Sequence, residues 1–180
     1  MLAKSIYDGL SKWRQERSIT EPQSSYKSMM EEELFEEFLP AVRNNDFHEI
    51  VDALCDMIVI TINQFSTEQC KPATIPVSGH KLATEIESYL HKYEFGSNNC
   101  QLLLHIIDAC INELHSYNVD PNLAMEETIK EISSRRQDPT QQAEWNLRGG
   151  NTTGEKWRKD KSQPQSTLYK ANYNKCIIGE

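Results

Sequence analysis

The sequence has no apolar run of membrane-spanning length. Its longest, Met57-Ile58-Val59-Ile60, reaches Ile62 only by passing through Thr61, far short of the roughly 20 residues a span requires. CxxC pairs are missing too. The five cysteines, Cys55, Cys70, Cys100, Cys110 and Cys176, are odd in number, which argues for free thiols in a reducing cytosol rather than a disulfide framework. Glycine is scarce over most of the chain, with only Gly9, Gly79 and Gly96 before residue 136, and no phosphate-cradling glycine loop, GxGxxG or GxSxG is present. Strand-like alternation and internal repeats are both absent, which leaves an all-α fold class. Positive charge is in deficit as well: the net of −8 disfavours a general nucleic-acid binder. The opening segment MLAKSIYDGLSKWRQER is amphipathic and carries acids, unlike a secretory signal, so a cytoplasmic protein without a membrane partner is expected.

At 180 residues the chain is long enough for one domain and short for two. Leu2, Ile6, Leu10 and Trp13 recur at helical spacing and predict a helix over 2–17. A second helix is expected over 25–39, with Met30, Leu34 and Phe38 in one stripe and a kink or stop at Pro40, which removes a backbone bond. Asn44-Asn45-Asp46 reads as a turn and cap before a nearly all-apolar helix from Phe47 to about Phe65, the signature of a buried central element. Residues 66–80 predict a loop, and 81–94 and 99–117 predict two more helices. Asp120-Pro121 opens a last one, to about residue 135. Residues 1–135 hold 11 basic and 22 acidic side chains, whereas 136–180 hold 8 and 5. An acidic body is therefore followed by a mildly basic, aromatic tail, expected to be mostly irregular and to pack on the body.

Two acidic clusters stand out. Residues 31–37 carry five acids, Glu31, Glu32, Glu33, Glu36 and Glu37. On the following helix Glu49, Asp52 and Asp56 form a single stripe at i, i+3 and i+7. The second helix is otherwise apolar, so those three cannot all be casually solvated, and stacked carboxylates repel unless a cation neutralises them. Oxygen-only ligands suit a hard divalent ion, Mg²⁺ or Mn²⁺. A helical hairpin turning at Asn44-Asn45 brings the two sets face to face.

Glu32-Glu33-x-x-Glu36, followed after a turn by Glu49-x-x-Asp52, resembles the EExxE…ExxD signature of the all-α nucleoside triphosphate pyrophosphatases, and in particular the phage-type MazG-like proteins. Trp13-Arg14-Gln15-Glu16-Arg17, the segment from Tyr117 into Arg135, and the tail stretches Gly154–Asp160 and Tyr169–Tyr173 are similar to that subgroup as well. Relative to a minimal MazG unit, 81–98 reads as a helical insertion. The resemblance implies a catalytic domain over 1–135 that cleaves a (d)NTP to the monophosphate and pyrophosphate with Mg²⁺ or Mn²⁺. On the residues, Glu33, Glu36, Glu49 and Asp52 are the core metal ligands. Asp56 is a further ligand, and Glu32 and Glu37 are alternates or the catalytic base. Trp13, Arg135, Lys156 and Lys159 are the substrate-binding candidates. Crowding within 31–37 and the extra acid Asp56 leave the register open.

Other classes compete with this reading. A non-catalytic oligomeric adaptor or regulator with a structural cation site is the first alternative, and a phosphoribosyl-ATP pyrophosphatase-like hydrolase the second. His48 lies off the acid stripe. Cys100, His105 and Cys110 do not have the spacing of a closed zinc site. The two apolar helices predict more hydrophobic surface than one small bundle covers, hence a homodimer or homotetramer.

Overall fold

The computed structural model describes residues 1–19, 23–64, 82–94 and 99–179, and among them the fold is all-α with no strand. Helix α1 (Lys4–Glu16) buries Ile6, Leu10 and Trp13, the face its spacing predicts. Helix α2 (Tyr26–Glu31) runs without a break through a π-helical segment (Glu32–Phe38) into α3 (Leu39–Asn44). Of the kink or stop expected at Pro40, the stop is thus corrected. The widened turns over 32–38 precede the proline, whose missing N–H falls in the first turn of α3, so the ring does not clash with an α-type carbonyl ladder. Asn45, in the left-handed region at φ 51°, ends this long helix, and Asp46 caps the next by accepting from the backbone N–H of Glu49.

Helix α4 (Phe47–Ile62) is the centre of the molecule. Val51, Leu54, Cys55, Met57, Ile58 and Ile62 are fully buried, packed by the long helix, α6 (Cys100–Ser116) and α7 (Pro121–Ser134). The apolar faces of α4 and α6, which suggested a homodimer or homotetramer, are largely buried within the chain among the described residues. The larger exposed apolar side chains of the described residues, among them Leu123, Leu147 and Ile178, are not on α4 or α6. Helix α5 (Leu82–Lys92) lies against α6. The loop expected over 66–80 lies outside the described residues.

The tail is less irregular than its composition implies. It contains α8 (Pro139–Arg148), capped by Asp138, started by a proline and ended at Gly149 with φ 77°. Trp145 and Tyr173 are completely buried. Glu127, on α7, accepts from the Tyr169 hydroxyl at 2.5 Å and the Asn172 N–H at 3.0 Å, and Glu131 accepts from the Ala171 N–H at 2.8 Å. Cys55, Cys110 and Cys176 are free and buried, but Cys100 is disulfide-bonded, against the expectation of free thiols throughout. An odd count and a missing CxxC do not exclude one pair distant in sequence. Among the described residues, no helix is long and apolar enough to cross a membrane.

The tail's share in the core is measurable. Trp145→Ala is expected to cost about 3–5 kcal/mol in urea denaturation. Leu147→Ala, on the same helix but 89% exposed, should stay within about 0.5 kcal/mol. Equal small effects would show that the tail does not belong to the cooperative core.

Candidate active site

A cleft of about 920 Å³ opens between the long helix, α4, α1, the end of α7 and the tail. One wall is acidic, with Glu32, Glu33 and Glu37 from the π segment and Asp52 and Asp56 from α4. The same cleft is also lined by basic side chains, Arg135 at the end of α7 and Lys156, Arg158, Lys159 and Lys161 from the tail. Trp13 and Trp157 also line it, 5.8 Å apart edge to face, and the Arg17 guanidinium lies 4.9 Å and 5.6 Å from their ring centres.

Of the sequence-predicted residues, Trp13, Glu32, Glu33, Glu37, Asp52, Asp56, Arg135, Lys156 and Lys159 meet in this cleft. Glu36 and Glu49, both expected as core ligands, do not line it, and both are exposed. The reason for the first is the π segment. An i→i+5 bonded turn holds more residues than an α turn, so side chains four apart come back into line while those three apart fall short. Glu33 and Glu37 thus share the cleft face and Glu36 turns away. Glu49 stands in the first turn of α4, an open end where an acid favours the helix dipole. The facing pairs are therefore Glu33/Glu37 and Asp52/Asp56, each at i, i+4.

These acids resist ionisation. Burial raises Glu33, and the neighbouring charges of Asp56, Glu37 and Asp52 raise it further. Asp56 is raised first by burial and then by Asp52, against the opposing pull of Arg135. Asp52 and Glu37 are also raised, burial being the largest cause for each. The Oε2 atom of Glu33 is buried without a hydrogen-bond partner, an exception that calls for a missing ligand or proton. Arg135 donates to Glu131 at 2.6 Å, and its charge acts on both Asp52 and Asp56.

The basic side chains are placed as firmly. Buried Gln141 of α8 donates to the Lys156 carbonyl at 3.0 Å and accepts from the Arg158 N–H at 2.8 Å. The Asp138 N–H donates to the Arg158 carbonyl at 2.8 Å. Lys156 pairs with Glu32 of the acidic wall at 2.6 Å. Trp157 is absent from the predicted set, although an isolated tryptophan in a polar tail is a legible signal. Tyr173, which donates to Asp52 at 2.6 Å, had no comparable one.

Among the described residues, no three of these acids stand close enough to enclose an ion by themselves. The donor set nevertheless fits Mg²⁺ or Mn²⁺. It is all carboxylate, one buried oxygen is unpartnered, and Mg²⁺ is commonly held by one or two carboxylates with water and substrate phosphate completing the shell. A zinc site at Cys110 and His105 is not supported, since Cys110 is buried and His105 stacks on Tyr89 at 5.6 Å.

The raised carboxyls make the metal-free protein pH-sensitive. A carboxyl whose folded pKa exceeds its unfolded value stabilises the fold at low pH, and that contribution is lost as pH rises through the folded value. Between about pH 5 and about pH 8 the Tm of the metal-free protein is expected to fall, and Glu33→Gln should flatten the slope. Calorimetry showing a Tm that rises or stays level over that window would contradict the assignment. No family model, curated protein or solved structure matches the chain.

Proposed function

We propose that this protein is a divalent-cation-dependent nucleotide pyrophosphohydrolase that splits a (d)NTP between the α- and β-phosphorus atoms. The observation that carries the reading is a cleft lined together by half-buried, mutually repelling carboxylates, by several cations and by a tryptophan pair. A polyanion is repelled by the acidic side chains alone and held by the basic ones alone. The combination suits a polyphosphate that arrives with a counter-ion.

Glu33, Asp52 and Asp56 would hold Mg²⁺, with Mn²⁺ as a substitute. When bound, the ion supplies charge neutralisation at the phosphate oxygens and Lewis acidity toward water. Arg135, fixed by Glu131, offers its remaining donors to phosphate. Lys156 exchanges Glu32 for a phosphate oxygen, leaving Glu32 at the rim. Glu37, whose pKa is raised, takes the proton of the attacking water, because a base tuned toward neutrality accepts it most effectively. Trp13 and Trp157 offer ring surface to the base.

The deciding experiment incubates the protein with each (d)NTP and Mg²⁺ and measures monophosphate and pyrophosphate. Glu33→Gln and Asp56→Asn are expected to lose at least about 100-fold in kcat while remaining folded. Glu36→Gln and Glu49→Gln should stay within about threefold of the native rate. If no nucleotide is turned over although Mn²⁺ binds, the adaptor reading replaces this one. If the Glu49 and Glu36 variants are the inactive pair, the register is wrong.

A further inference from the structure

We propose that Tyr173, which is 121 residues from Asp52 in sequence, is a positioning residue that sets the orientation of the Asp52 carboxylate toward the cleft. The proposal rests on reading the cleft as a cation site, and it adds a residue that no spacing of acids along α4 identifies.

The geometry is specific. Tyr173 is completely buried, and its hydroxyl donates to Oδ1 of Asp52 at 2.6 Å, a length typical of a bond to a charged acceptor. The same hydroxyl lies 3.0 Å from the buried Thr128 hydroxyl, which shares its one proton between the phenol oxygen and the Ala124 carbonyl, also 3.0 Å away. On the other side the His48 ring packs on the phenol with centroids 5.0 Å apart, while its Nε2 lies 3.0 Å from the Ala171 carbonyl. The phenol is thus held by α7 through Thr128 and by α4 through His48, and the Ala171 carbonyl ties His48 to the tail itself.

A carboxylate carries two oxygens. With Oδ1 engaged by Tyr173, rotation about the Cβ–Cγ bond is restricted, and Oδ2 is left as the oxygen free to serve the cleft. A hydrogen bond that fixes a ligating carboxylate commonly changes metal affinity by about 10–100-fold when removed. Tyr173→Phe keeps the ring and deletes only the donor, so packing is preserved.

The experiment measures Mn²⁺ binding to the full-length protein without nucleotide, by electron paramagnetic resonance titration. In parallel, it measures the Mg²⁺ concentration for half-maximal turnover. Tyr173→Phe is expected to weaken Mn²⁺ binding about tenfold and to raise the half-saturating Mg²⁺ by a similar factor. The nucleotide KM at saturating Mg²⁺ should be unchanged, a split that a general loss of packing does not produce. Asp52→Asn is measured alongside. Native Mn²⁺ affinity in Asp52→Asn overturns the cation-site reading itself. Weakened binding in Asp52→Asn with native affinity in Tyr173→Phe overturns only the positioning role. Should Tyr173→Phe not fold, Thr128→Val loosens the same phenol from behind and is expected to weaken Mn²⁺ about threefold. Native affinity there overturns the proposal.

Discussion

Like charge gathered in one half-buried cleft is the constraint around which this molecule is organised. Asp52 and Asp56 stand on a helix whose other faces are buried, and Glu33 and Glu37 are brought against them by the π segment. Each carboxylate raises the cost of ionising the next. The surrounding structure answers that cost at several points. Arg135 sets its charge against both aspartates, Lys156 pairs with Glu32, and Tyr173 donates to Asp52. The compensation is incomplete at Glu33, whose buried oxygen stays unpartnered. Asn63 Oδ1 and Trp157 Nε1, which also line the cleft, are unpartnered as well, so the unmet polar demand gathers on more than one of its residues.

The tail belongs to that accounting. Glu127 illustrates how tightly it is tied down. Burial would raise this carboxyl, yet the bonds from Lys130, Tyr169 and Asn172 bring it down to about 2. Gln141 spaces the backbone of Lys156 and Arg158 from the other side. Cations on a loose tail would offset the acidic body only on average. Fixed this way, they line the cleft at defined places alongside the carboxylates.

Much of the helical framework was legible in the sequence, because the faces of α1, α4, α6 and α7 are decided by apolar spacing and by local caps such as Asp46 and Asp120. Helix α8 had its own local signals, Asp138-Pro139 at the start and Gly149 at the end, but it is short and polar, with only Trp145 and Gln141 turned inward, so apolar period could not reveal it. The acids were visible as a group and their pairing was not. Which of Glu33, Glu36 and Glu37 share a face depends on the winding of the helix between them, and winding does not show in the spacing of residues along the chain. Tyr173 was invisible as a partner of Asp52 because only tertiary folding joins them. The disulfide at Cys100 escaped for a similar reason.

The π segment has a consequence for how such a site can change. Its acids are consecutive enough that winding, rather than residue identity, selects which of them face the cleft. Were the same residues between Glu32 and Phe38 rewound into α geometry, with none removed, one end would turn against the other by about 100°, the angle of one residue. The carboxylates presented to α4 would then be exchanged without any acid being gained or lost. A helix of this kind stores two alternative sets of cleft-facing acids in one stretch of chain, and the difference between them is winding alone.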